Sequence, residues 1–165
     1  MNGFTLLELM VVMAILAIIS VSLAPVYVAA MDGIRTRNAQ NDVIAWLRYA
    51  QEVAVRESRE YRVYFNKETG TCHLMRLAGI EDEEKVFEDI VDPLIGNGLV
   101  LPATLVFENI RARRDKRTRE YFVSCLPNGA SDKAVIRLRD QRSRGVHIEI
   151  TVEGPLGKIT LEESR

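Results

Sequence analysis

From Phe4 to Met31 the chain carries one charged side chain, Glu8, in an otherwise apolar run. About twenty such residues, rising roughly 1.5 Å each in a helix, span the ~30 Å hydrocarbon core of a bilayer. Residues 26–58 then contain no proline and a single glycine, Gly33. Ile34, Val43, Leu47, Ala50 and Ala54 recur at helical spacing, Trp46 and Val53 widen the stripe, and Arg35, Arg37, Arg48, Glu52, Arg56 and Glu57 fall elsewhere. The spacing predicts one helix from Phe4 to Arg59, with Pro25 and Gly33 as places where it can bend. After Arg59 the period becomes two. Tyr61–Phe65 and Thr71–Leu77 flank the Gly-containing turn Asn66–Gly70 and read as a hairpin. Val146, Ile148, Ile150 and Val152, then Ile159 and Leu161, alternate with polar residues across the turn Gly154–Gly157. With Ala134–Arg139 they predict an antiparallel meander with one wet face. Thr104–Ile110 and Glu120–Cys125 are further strands. A helical first third followed by strands is an α+β chain whose sheet packs on the second half of the helix.

A carboxylate inside an apolar span costs about 2.5–3.5 kcal/mol toward the bilayer centre and needs a partner. The first 31 residues offer no Lys, Arg or His. The nearest cation would be an α-amine released by cutting between Gly3 and Phe4. The run Gly3-Phe4-Thr5-Leu6-Leu7-Glu8, followed by an apolar helix, resembles the class III signal of type IV pilins and type II secretion pseudopilins. The resemblance implies cleavage after Gly3 by a prepilin peptidase and N-methylation of Phe4. It also implies that Glu8 pairs with the N-terminal amine of a neighbouring subunit during assembly. Pro25 falls where the family commonly carries a helix-kinking proline. The leader Met1-Asn2-Gly3 departs from the family by lacking a basic residue. Either translation starts upstream, or topology relies on the terminal amine and downstream charges.

The competing reading is a secretory signal peptide, with Val28-Ala29-Ala30 as a small-residue cleavage site. Against it stand the missing basic n-region, an apolar run longer than the usual 7–15 residues, and the absence of any role for Glu8.

The C-terminal stretch resembles the GspH/FimT group of minor pseudopilins and minor pilins. The residues that carry this are Phe122, Leu126-Pro127-Asn128-Gly129, Ala134–Arg139, the turn Asp140–Gly145 and Gly157-Lys158-Ile159. The resemblance implies a type IV pilin-like fold: a leader over 1–3, a membrane and filament-core helix over 4–31, an amphipathic continuation over 32–59, and a β-rich periplasmic domain over 60–165. It implies a single-pass inner-membrane protein that later joins a hetero-oligomeric filament of pseudopilins or pilins. Ile159–Arg165 lacks the Asp, Ser and Gly set of the calcium loop of major pseudopilins, so no metal and no cofactor is expected.

A net charge of −1 hides two opposed blocks. Residues 80–110 hold eight acids against Lys85, and residues 111–144 hold eleven bases against four acids. Three readings stand: solvated loops, docking of acid block on basic block between subunits, or DNA contact through Arg111, Arg113, Arg114 and Arg117 with Arg142 and Arg144. The DNA reading corresponds to a FimT-like pilus or DNA-uptake subunit. Its aromatic support is limited to Tyr121 and Phe122, so binding would be backbone-led and salt-sensitive. Cys72 and Cys125 either join in one disulfide in an oxidising periplasm or remain two buried thiols on separate strands. His73 and His147 stand alone, and no zinc spacing, P-loop or nucleophile elbow occurs. No catalysis is expected of the chain, which is itself a peptidase substrate in this reading.

Overall fold

The computed structural model describes residues 5–90, 98–142, 147–154 and 157–164. The chain divides into two compact units, Met1–Arg35 and Thr36–Arg165, and helix α1 (Leu6–Arg56) contributes to both. Among the described residues from Leu6 to Ala30 the helix has no sheltered side. Leu6, Leu7, Leu9, Ile15, Leu16 and Ile18, which point in all directions around its axis, are each more than half exposed. By length and composition this helix is able to cross a membrane. It continues through Pro25, which has no N–H to donate to the carbonyl of Val21. Just before that gap, the hydroxyls of Ser20 and Ser22 donate back to the carbonyls of Leu16 and Ile18, at 2.8 and 2.9 Å.

In the second unit, Ala39, Val43, Trp46, Leu47, Ala50, Val53 and Ala54 form the buried stripe of α1. Ile34, expected to lead that stripe, is instead 52% exposed and belongs to the first unit. Buried Thr36 stands at its head, its Oγ1 3.2 Å from Thr104 Oγ1. The helix stops three residues short of Arg59 in a Schellman cap. Ser58 takes a left-handed φ of 52°, Arg59 N–H donates to Ala54 O, and Ser58 N–H donates to Val55 O.

Among the described residues ten strands follow: β1 (Tyr61–Asn66), β2 (Thr71–Glu81), β3 (Glu84–Asp89), β4 (Leu99–Val100), β5 (Leu105–Arg111), β6 (Arg113–Arg114), β7 (Tyr121–Cys125), β8 (Ala134–Asp140), β9 (His147–Val152) and β10 (Ile159–Ser164). One sheet runs β3-β2-β1-β7-β6, with β4 also on β2, and the other runs β10-β9-β8-β5. All pairings are antiparallel. The predicted hairpin and the β8–β9–β10 meander are present; β8 and β9 show the alternating burial that one wet face requires, whereas β10 is half-buried at Ile159 and Thr160 and exposed from Leu161 on. Inward residues of both sheets and the helix stripe share one core, where Phe65 meets Phe107 edge-on at 5.9 Å. Gln51 ties the helix to two loops by donating to Ser131 Oγ and Gly157 O, at 2.9 and 2.7 Å. Gly157 is required there: its φ is 59°, and a Cβ would lie 2.6 Å from the Gly129 carbonyl oxygen.

One expectation is corrected, and of the two readings left open for the cysteines the second is the one observed. The acidic stretch after Ile80 is a hairpin rather than a loop, since β3 pairs with β2. The cysteines are free and buried. They lie on the two strands flanking β1, Cys72 opposite Phe65 and Cys125 opposite Tyr61. Four residues along a strand is about 13 Å, and two strand spacings add about 10 Å across it. A disulfide tolerates a Cα separation of no more than about 7 Å.

Candidate assembly site

At the N-terminus, Gly3 and Phe4 lie outside the described residues. Thr5 is the helix N-cap, its Oγ1 accepting the Glu8 N–H at 3.2 Å. Thr5-Leu6-Leu7-Glu8 therefore has capping-box spacing, and Glu8 also sits in the first turn, where the helix dipole favours a carboxylate. Glu8 is exposed and has no ion-pair partner among the described residues. The helix-starting role and a docking role are compatible, because capping by the Glu8 backbone N–H leaves its carboxylate available.

In the second unit the acids of residues 81–89 lie on and beside β3 at one edge of the first sheet, and the bases of residues 113–119 on and after β6 at the other, while Glu108, Arg111, Arg137 and Arg139 of the same blocks lie on the second sheet. Arg111 ends β5, Arg113 and Arg114 form β6, and Arg117 lies in the turn that follows. Arg113 is drawn toward Asp132 at 3.5 Å and stacks over Phe122. Arg114 donates its Nε–H to Arg119 O at 2.7 Å and stacks on Tyr121. Arg111 and Arg117 make no ion pair among the described residues. Arg142 follows β8, its N–H on Asp140 Oδ1 at 2.9 Å, and Arg144 lies outside the described residues. The register separates the two basic stretches. Arg111 faces Val135 at one end of the β5–β8 ladder, and Asp140 faces Leu105 at the other. Arg111 and Arg142 are therefore roughly 20 Å apart along the strands.

A feature not legible in the sequence lies across the outer face of this sheet. The Arg62 guanidinium sits 3.7 Å from the Phe87 ring centre and 4.4 Å from that of Phe122. Tyr64 stacks on His73 and packs against Phe122. This places more aromatic rings beside the arginines than Tyr121 and Phe122 alone. Tyr64 and Phe122 are only 2% and 4% exposed, so neither offers a platform for a nucleic-acid base. The loop over this face is fixed by Asp115, whose carboxylate accepts Tyr64 O–H at 3.0 Å and the N–H groups of Arg117 and Thr118. Burial raises the Asp115 carboxyl, but these hydrogen bonds outweigh it and hold it below the usual range.

Glu60 joins the helix end to the acidic hairpin. It is buried, takes a hydrogen bond from Lys85 on β3, and accepts Arg62 Nε–H at 3.1 Å. Burial pushes its carboxyl up, yet Lys85 and Arg62 together bring it below the ordinary value. His73 lies 3.7 Å from Glu120, and His147 Nδ1 lies 2.9 Å from Glu108, off the line of a good hydrogen bond. Burial pushes both thiols up, Cys125 to about 12, which leaves neither a nucleophile at neutral pH. Among the described residues no three His, Cys, Asp or Glu side chains are grouped to hold a metal.

Residues 1–24 match the family described as the prokaryotic N-terminal methylation motif. The fold is similar to two solved structures of the minor pseudopilin EpsH from the type 2 secretion system of Vibrio cholerae. In the first, the TM-score is 0.58 at 13% identity, over 76% of this chain and 93% of that one. In the second, it is 0.57 at 12% identity, over 79% and 94%. Among curated protein sequences none matches the chain. The type IV pilin-like fold implied by the N-terminal motif is the one observed: one long helix and an antiparallel β head.

Proposed function

We propose that this chain is a minor pseudopilin, a non-catalytic subunit of a type II secretion pseudopilus placed near the filament tip. A prepilin peptidase cuts between Gly3 and Phe4 and methylates Phe4. The first unit anchors the monomer in the inner membrane with the β head in the periplasm, and Glu8 then pairs with a neighbour's Phe4 amine. One observation carries the reading: a methylation-motif helix that is apolar on every side, with one exposed carboxylate in its first turn, on a head with the EpsH fold. Such a helix needs lipid or other helices around it, and in either setting an unpaired carboxylate is unfavourable.

The alternative, a FimT-like minor pilin for pilus priming or DNA uptake, would use the arginines of β5 and β6. Those arginines are partly committed to Asp132, Phe122 and Tyr121 and are distant from Arg142. The test is intact mass and N-terminal sequencing of wild type and Glu8→Ala, from membranes and from sheared filaments of the host. Both membrane chains are expected to begin at N-methylated Phe4, with the variant at least tenfold depleted from filaments. A wild-type chain starting near Met31 overturns the assignment, and normal incorporation of Glu8→Ala overturns the role of Glu8.

A further inference from the structure

Strand β1 ends its pairing with β2 at Tyr61, opposite Arg76, and the Glu60 carbonyl adds one more bond, to Leu77 N–H. Strand β2 runs on to Glu81, and only β3 accompanies it there, through the pairs Gly79 with Val86, Ile80 with Lys85, and Glu81 with Glu84. Four residues at about 3.3 Å each make a two-stranded ribbon reaching roughly 13 Å past the sheet. A ribbon of this kind is marginal in water on its own.

Three contacts at its base fix its direction: Lys85 on Glu60, Arg76 on Glu88, and the Arg62 guanidinium on Phe87. The tip is bare. Ile80 is 67% exposed and Val86 36%. Glu81, Asp82, Glu83 and Glu84 make no ion pair among the described residues. The turn has Asp82 and Glu83 at φ of 47° and 65°, a conformation that Asn-Gly adopts more easily. The ribbon is thus ordered in advance, with apolar side chains and acids held out together.

We propose that the β2–β3 ribbon is a docking arm whose tip, Ile80–Glu84, seats on a basic surface of a neighbouring subunit's head. This rests on the filament reading above. Acids at the tip repel an anionic membrane surface and the phosphates of nucleic acid, which leaves protein as the occupant. The sheet itself shows the required complement. Its opposite edge bears Arg113 and Arg114, with Lys116, Arg117 and Arg119 in the adjoining turn. A neighbouring pilin-type head with base at the corresponding edge receives the arm head to tail, the kind of contact that runs along a filament when it does not close. Individual exposed ion pairs add little. The arm therefore sets register and association rate, while Ile80 supplies the buried contact.

The experiment places a photo-crosslinking amino acid at Ile80 in the full-length chain, expressed in its host. A control probe goes at Glu163, on β10. The expected result is a light-dependent adduct between the Ile80 probe and another pilin-like subunit, absent from the control. Asp82→Lys with Glu83→Lys is expected to lower its yield at least fivefold, with protease resistance of the head unchanged. An adduct with lipid, with nucleic acid or with a protein that is not a filament subunit overturns the proposal. So does an undiminished yield in the charge-reversed chain. N-terminal mass and filament content of the same sample separate the two levels. Cleaved, incorporated chain without an adduct removes the arm alone, whereas chain that never reaches a filament removes the function and the arm with it.

Discussion

Glu60 stands where the chain leaves α1 for β1, with its carboxylate buried between Lys85 and Arg62. Because its folded pKa is depressed, the stabilisation is complete above the unfolded value, roughly 4.3, and disappears as pH falls through the folded one. Glu60→Gln is therefore expected to lower stability by about 2 kcal/mol at pH 7. The difference from wild type narrows once pH falls below the unfolded value and closes when Glu60 is protonated in the folded state as well, as read by thermal melting in detergent across pH. Nothing in the sequence marked Glu60, since its partners lie on two strands whose register was not visible. The same holds for the stack of Phe87, Arg62, Phe122 and Arg113, which four strands bring together. Glu8 was legible for the opposite reason: it is a lone charge in a long apolar run, and no tertiary contact is needed to see it.

Elements were legible where burial imposes a period. The alternation in β8 and β9 follows directly from one wet face, and the stripe from Val43 to Ala54 from one buried helix side. Strand β3 was hidden because Glu84-Lys85-Val86-Phe87-Glu88-Asp89 has no alternation, and its turn has neither Gly nor Asn. Strands β4 and β6 are two residues long, too short to carry a pattern. The end of α1 is set by local conformation rather than by periodicity, with Ser58 in the left-handed region that glycine prefers. Ser58→Gly is expected to stabilise the second unit by about 0.5–1 kcal/mol, because the Cβ strain is removed while both cap hydrogen bonds remain. A rise in melting temperature of about 1–3 °C is the measure.

At the scale of the whole molecule, two kinds of surface coexist in one chain: an apolar helix with no sheltered side, and a charged head with its own core. The full chain is expected to stay in the membrane pellet through alkaline carbonate and to leave it only with detergent. Release by carbonate would mean that the helix does not span the bilayer. The near-zero net charge conceals a sheet with acids 81–89 at one edge and bases 113–119 at the other, an arrangement that only the strand order reveals.

The uniformly apolar first unit has a further consequence. Hydrocarbon tails and neighbouring apolar helices offer it much the same solvent quality, so exchanging one for the other changes transfer free energy little. The hydroxyls of Ser20 and Ser22 are turned onto their own helix and add no polar anchor in either setting. In the proposed filament, neither the bilayer nor the bundle is then a thermodynamic trap. As far as the apolar surface decides, growth and withdrawal lie close to balance, and the direction of travel is set by the Glu8 pairing and by work done on the assembly.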